Sequence, residues 1–253
     1  MRYAILLAYD GTDYGGWQIQ KNSITVQEKL EEACEKVFGK KTNVTASGRT
    51  DSGVHAAGQV CHFDAETTIP AEKIADVLNR FLPPDISVLQ SAVAPENFDA
   101  NRSAKRKTYC YKFYLADRRN PLKDRFSVWV KNSVNIAKLQ HISGSFVGKH
   151  DFKAYCKSGS QVKTTVREVY SVDVKIKENE LSTDIEIYVC GGGFLYNMVR
   201  TIAGTMINFA EGSLSEEEIA RSLAEGDREA VGRTMPAKGL TLEKVEYGVS
   251  LFK

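Results

Sequence analysis

The first residues, Met1 to Asp10, alternate like a half-buried strand. The period then changes. Thr25-Val26-Gln27-Glu28 carries the Thr-x-x-Glu signature of a capping box, and Val26, Leu30, Ala33 and Val37 fall on one face of a helix that Gly39 stops. Asn43 to Ala46 reads as a short strand and Gln59 to Phe63 as another. Pro70 opens a second helix that runs through Arg80 and ends at Pro83-Pro84, after which Ile86 to Val93 returns as a strand. A second half follows the first. It predicts strands Thr108–Leu115 and Phe126–Val130, a helix from about Asn135, strands Val166–Lys175 and Ser182–Cys190, and a helix Phe194–Ala210. Strands paired in runs favour antiparallel sheets, so the expected fold is α+β in two similar halves, residues 1–100 and 101–253. No Gly/Ser linker or low-complexity segment separates them.

Composition narrows the class without fixing the function. With 253 residues and 42% hydrophobic content, the chain can bury a substantial core in one large or two ordinary domains. There is no long apolar run, and the N-terminus has neither the charged lead nor the small-residue cleavage site of a signal peptide, which points to a cytoplasmic protein with no membrane partner. The five cysteines fit that reading, being odd in number, widely spaced and without a Cys-x-x-Cys pair. They argue against a disulfide framework or structural zinc, and the four histidines add no metal-ligand spacing. No Gly-x-Gly-x-x-Gly or Walker-type loop supports nucleotide-cofactor chemistry.

The net charge is only +2, but it is unevenly spread. Residues 101 to 170 hold sixteen Lys or Arg against four acids, a local excess of +12 that leaves −10 for the remainder. Such a stretch is the footprint of a polyanion-binding face, with nucleic acid the leading candidate and a merely solvated surface the alternative. Aromatics interleave the charges in Lys105-Arg106-Lys107-Thr108-Tyr109-Cys110-Tyr111-Lys112-Phe113-Tyr114. As a strand, this places Tyr109, Tyr111 and Phe113 on one face and Lys112 and Tyr114 on the other. Stacking rings beside phosphate-binding cations suit RNA.

Two segments carry candidate chemistry. In Gly48-Arg49-Thr50-Asp51-Ser52-Gly53-Val54-His55-Ala56-Ala57-Gly58, one carboxylate directly follows an arginine and a threonine among small neighbours, between the two short strands. The glycines and alanines let the backbone turn sharply and a bulky ligand approach, so Asp51 is presented as a catalytic carboxylate would be. The plainer reading is a surface turn in which Asp51 bonds its own backbone. In Gly191-Gly192-Gly193-Phe194-Leu195-Tyr196-Asn197-Met198-Val199-Arg200, three glycines lead into an apolar helix bearing one arginine. A cation on an apolar face is costly unless an anion meets it, and Asp51 is the expected partner of Arg200. The alternatives are a ligand-free glycine bulge and an arginine that snorkels to the surface.

Gly48-Arg49-Thr50-Asp51-x-Gly53-Val54-His55, the Tyr109-x-Tyr111 strand and Met198-Val199-Arg200 together resemble the tRNA pseudouridine synthase A family. Tyr9-Asp10-Gly11-x-x-Tyr14-x-Gly16-Trp17-Gln18, Val26 to Glu31, Gly58-Gln59-Val60, Phe98-x-Ala100 and Pro236-Ala237-x-Gly239-Leu240 extend the likeness from residue 5 to residue 247. The resemblance implies two RNA-recognition-like halves with an active-site cleft between them, in a homodimeric, cofactor-free and metal-free enzyme. Its partner would be tRNA at the anticodon stem-loop. Uridines at positions 38, 39 and 40 would be isomerised so that the base rejoins its ribose through carbon instead of nitrogen.

By the same resemblance Asp51 is the nucleophile, and it can attack the ribose, attack the uracil ring or assist elimination; the sequence leaves these routes open. Arg49 would fill the space of the flipped base or grip a neighbouring phosphate, Tyr109 would stack on uracil, and Arg200 would keep Asp51 ionised and oriented. Arg102, Lys105, Arg106 and Lys107 are the candidate phosphate contacts, and His55 is read as a structural histidine. Ser52 stands where the family commonly has alanine, and Asn101 where it generally has arginine, with Arg102 one place later. The basic loop Lys157–Lys163 is expected to order on RNA. Two alternatives remain in view: a non-catalytic RNA-binding protein, and a pseudouridine synthase acting on another RNA.

Overall fold

The computed structural model describes residues 1–252 apart from 132–133 and 158–161. The chain divides into two compact units, one built from Met1–Lys107 with Thr241–Lys253 and the other from Thr108–Leu240.

In the first unit, β1 (Arg2–Tyr9) buries Tyr3, Ala4, Ile5, Leu7 and Tyr9. Apolar side chains on both faces make it a central strand. The chain then enters α1 (Val26–Phe38) through the expected capping box: Glu28 N donates to Thr25 Oγ1 and Thr25 N donates to Glu28 Oε2, both at 3.3 Å. Such a cap contributes about 1 kcal/mol. The helix buries Val26, Leu30, Ala33 and Cys34, while Val37 is only half-buried. Gly39 ends it in the left-handed conformation, φ 70°.

β2 (Thr45–Ala46) and β3 (His55–Asp64) follow, paired antiparallel through Thr45↔His62 and Ala46↔Cys61. β3 also pairs antiparallel with β1, Ile5 facing Cys61. The helix expected from Pro70 to Arg80 is shorter than its pattern: a 3₁₀ turn, Ala71–Lys73, leads into the single turn and a half of α2 (Ile74–Leu78). The reason is local. Asn79 spends its side-chain amide on the next strand, accepting from Val88 N and donating to Val88 O, each at 2.8 Å, and the chain leaves the helix there. That strand, β4 (Ile86–Val93), pairs antiparallel with β1.

β5 (Ala104–Leu115) carries the chain into the second unit. There β6 (Val128–Val130) pairs parallel with β5, and α3 (Ile136–Ile142) starts at Asn135, whose Oδ1 accepts from Lys138 N at 3.1 Å. β7 (Gly148–Asp151) pairs antiparallel with β8 (Val166–Glu178), and β8 with β9 (Thr183–Gly191). The strand order is β5-β9-β8-β7.

α4 (Met198–Glu211) forms much of this unit's core, with ten of its fourteen residues buried. It begins four residues later than expected, because Asn197 adopts φ 67° and no α-helix continues through that conformation. Gly204 lets another segment cross it: a Cβ there would lie 1.7 Å from Arg233 O. α5 (Glu216–Glu225), capped by Ser215 and Glu218, completes the unit, and β10 (Leu240–Tyr247) returns the chain to the first, pairing parallel with β3 through Thr241↔His55. The α+β class with mainly antiparallel strands is as the sequence predicts. Among the described residues no helix is long and apolar enough to cross a membrane.

Candidate active site

The loop from Gly48 to Val54 links β2 to β3, so both of its ends are held by the sheet. At its entry Ser47 N donates to Val60 O at 2.7 Å. Gln59, fully buried on β3, accepts from Ser47 Oγ at 2.5 Å and donates to Gly48 O at 2.9 Å. The Ser47 carbonyl takes two further donors, Asn101 Nδ2 and Lys107 Nζ, the latter at 2.6 Å. Burial without a neighbouring carboxylate lowers the Lys107 pKa, and the carbonyl is its polar partner.

The inner side of the loop is clamped by the segment Asp10–Trp17. Thr50 Oγ1 lies 2.8 Å from Tyr9 Oη, and Thr50 O accepts from Trp17 N at 3.0 Å. Tyr14 O accepts from both Ser52 Oγ, 3.2 Å, and Gly53 N, 3.3 Å. Two glycines make this closeness possible: a Cβ at Gly11 would stand 2.0 Å from Val54 O, and one at Gly16 would stand 2.7 Å from Thr50 O. Val54 N donates to Asp51 O at 3.1 Å, which closes the turn, with Gly53 at φ 75°. Asp51 therefore has a fixed backbone and a partly exposed side chain, while Arg49 is exposed.

His55, buried, receives Gly11 N at Nδ1, 3.1 Å. The Asp10 carboxylate lies at the same distance from Nδ1, 3.1 Å. His55 ties Gly11 to β3.

The turn after Phe98 is built for rigidity too. Asn101 N and Arg102 N donate to Asp99 Oδ1, each at 2.9 Å, and these bonds, Arg102 first, hold the Asp99 carboxyl below its ordinary range. Ala100 is gripped from both sides, its N donating to His62 Nδ1 at 3.1 Å and its carbonyl accepting from Tyr247 Oη at 2.7 Å. Arg102, Lys105 and Arg106 are exposed beyond this turn.

In the second unit, Tyr109 is buried at 8% exposure and meets the Phe194 ring edge to face, 5.2 Å between centroids. Tyr111 and Phe113 are buried deeper, Tyr111 Oη donating to Pro236 O at 2.8 Å, so neither offers a ring to a base. Tyr114, on the opposite face, is equally buried, because β5 has core on both sides. Arg200, half-buried on the first turn of α4, donates through Nε to Met235 O at 2.7 Å and through Nη1 to Asn197 Oδ1 at 3.0 Å. Two anchors fix the plane of its guanidinium. Gly191 and Gly192 serve close packing: a Cβ at Gly191 would meet Glu168 O at 2.7 Å, and one at Gly192 would meet Tyr170 Oη at 2.9 Å.

Two cations of the basic stretch, Lys112 and Lys123, meet acids outside it. Lys123 pairs with Asp184, Arg119 and Lys238 with Asp124, and Lys112 Nζ lies 3.9 Å from Glu186. Residues 158–161 of the basic loop lie outside the described residues. Among the described residues no group of three or more His, Cys, Asp or Glu side chains is arranged to hold a metal ion.

Comparison with known proteins agrees along nearly the whole chain. The family model described as tRNA pseudouridine synthase matches residues 5–101 and 142–248. The tRNA pseudouridine synthase A of Ruminiclostridium cellulolyticum is 45% identical over 243 residues, 96% of this chain and 98% of that protein. The proteins of that name from Syntrophotalea carbinolica and Geotalea daltonii are 42% and 41% identical, each over 96% of this chain and over 95% and 98% of their own lengths.

Proposed function

The chain belongs to the tRNA pseudouridine synthase family, and on that premise we propose that Asp51 is the nucleophile with which it isomerises uridines of the tRNA anticodon arm, at positions 38, 39 and 40. The observation that carries this reading is the pairing of a fixed backbone with a partly exposed carboxylate at Asp51. A nucleophile must be reachable by substrate and held in one orientation, and a clamped, glycine-bordered loop supplies both.

The chemistry asked of the site is redox-neutral. The bond between ribose C1′ and uracil N1 breaks, the base turns, a bond from C1′ to C5 forms, and the C5 proton is lost while N1 gains one. No electron donor or acceptor is consumed, so the reading names no cofactor. A stacked uridine must first leave the helix, at a cost of a few kcal/mol that contacts in the pocket offset. In this account Arg49 occupies the vacated space or holds an adjacent phosphate, Tyr109 stacks on uracil, and Arg200 keeps the carboxylate ionised. Arg102, Lys105 and Arg106 hold the RNA backbone, as does Lys107 if it exchanges Ser47 O for a phosphate. The working unit is a cytoplasmic homodimer.

Carbodiimide mapping of unmodified tRNA transcripts after incubation with the protein tests the target. New reverse-transcription stops at positions 38, 39 or 40 are expected; stops confined to other arms would overturn the anticodon assignment.

A further inference from the structure

One buried hydroxyl supports the Asp51 loop from outside it. Tyr14 is 6% exposed, and its Oη donates to Asp85 Oδ1 at 2.6 Å. Asp85 is also held through its backbone, its carbonyl accepting from Asp10 N at 2.9 Å at the start of β4. The segment Asp10–Tyr14 is thus fastened to Asp85 at both ends, once by backbone and once by side chain. Its own turn is closed by Tyr14 N donating to Gly11 O at 3.1 Å. The Tyr14 carbonyl is the acceptor for Ser52 Oγ and Gly53 N, the two residues immediately after Asp51.

We infer that Tyr14 and Asp85 are positioning residues for the nucleophile: the Tyr14–Asp85 hydrogen bond fixes the carbonyl on which the Asp51 turn hangs. This rests on the assignment of Asp51 as the nucleophile. Burial, together with the neighbouring carboxylate, raises the Tyr14 pKa, so the hydroxyl stays a donor throughout the working range. Neither side chain needs to touch RNA. Losing their bond frees the turn without removing a substrate contact, and misplacement of a reacting group by about 1 Å costs on the order of 100-fold in rate.

The test compares Tyr14→Phe, Asp85→Ala and Asp85→Asn in single-turnover isomerisation of a tRNA transcript, with tRNA affinity measured separately. Tyr14→Phe and Asp85→Ala are expected to lower kcat about tenfold or more with tRNA affinity unchanged. Combining them should cost no more than either alone, since both remove one interaction. Asp85→Asn keeps a carbonyl oxygen for the tyrosine to donate to, so it should restore most of the lost rate. Losses that add in the double variant, or an Asp85→Asn as slow as Asp85→Ala, would overturn the inference. Unfolding curves on the same variants keep folding losses apart, and Asp51→Ala serves as the control: activity surviving that change would sink the nucleophile assignment instead.

Discussion

Gly16 lies directly against the backbone of Asp51: a Cβ on Gly16 would stand 3.1 Å from the Asp51 carbonyl carbon and 2.7 Å from Thr50 O. The residue after Asp51 is met just as closely, with Ser52 N also 3.1 Å from that position. The Asp10–Trp17 segment acts as a floor for the loop, and only a residue without a side chain can form it here.

Gly16→Ala should therefore damage catalysis more than any contact with RNA would explain. Gly16 sits at φ 98°, where an L-residue costs roughly 1–3 kcal/mol before the clash is counted. The expected result is a lower melting temperature and a kcat reduced about tenfold or more, with tRNA affinity nearly intact. Thermal unfolding alongside single-turnover rates checks it.

Gln59→Leu tests the entry side of the loop. The substitution strips partners from the buried Ser47 hydroxyl, at a cost of roughly 1–3 kcal/mol if left unpaired, and from the partly buried Gly48 carbonyl at a smaller cost. Urea unfolding should show a clear drop in midpoint with little change in slope. A variant as stable as wild type would mean that the loop entry is held by Val60, Asn101 and Lys107 without Gln59.

The cations after the Phe98–Ala100 turn should divide into two kinds. Lys105→Glu and Arg106→Glu, at exposed positions, should weaken tRNA binding and flatten its salt dependence while sparing stability. Lys107→Glu should also lower stability, because its ammonium is partly buried on the Ser47 carbonyl. Salt titrations of tRNA affinity, read with unfolding midpoints, separate the two.

His62 makes stability depend on acidity. Burial, reinforced by Arg2, lowers its folded pKa below the ordinary value of 6.5, and Nδ1 must stay unprotonated to accept from Ala100 N. The unfolded chain then takes up the proton first, so this contribution is whole above about pH 6.5 and is lost as pH falls toward the folded pKa. His62→Asn should flatten stability across that window, measured by urea unfolding at a series of pH values.

The legible parts of this fold were those written in local chemistry. Thr25 and Glu28 announce α1, and the small residues around Asp51 announce a presented carboxylate, because caps and turns are decided within a few positions. What stayed hidden depends on partners distant in sequence. Asn79 cuts α2 short by bonding Val88, and Lys112 and Lys123 meet Glu186 and Asp184, acids beyond the window in which the charge excess was counted. Asn101 looked like a missing arginine, yet its amide supports Ser47. α5 was missed despite its Ser215-x-x-Glu218 box, a signal as clear as that of α1. β10 gives little local sign of its parallel pairing with β3, which joins residues far apart in the chain.

Asp51 is proposed to perform the chemistry. Single-turnover isomerisation by Asp51→Asn, at saturating enzyme and with tRNA affinity measured in parallel, tests it most directly. The expected rate is lower by about a thousandfold or more, with affinity within a few-fold of wild type. A variant that binds tRNA equally well and still forms pseudouridine at a comparable rate would contradict it.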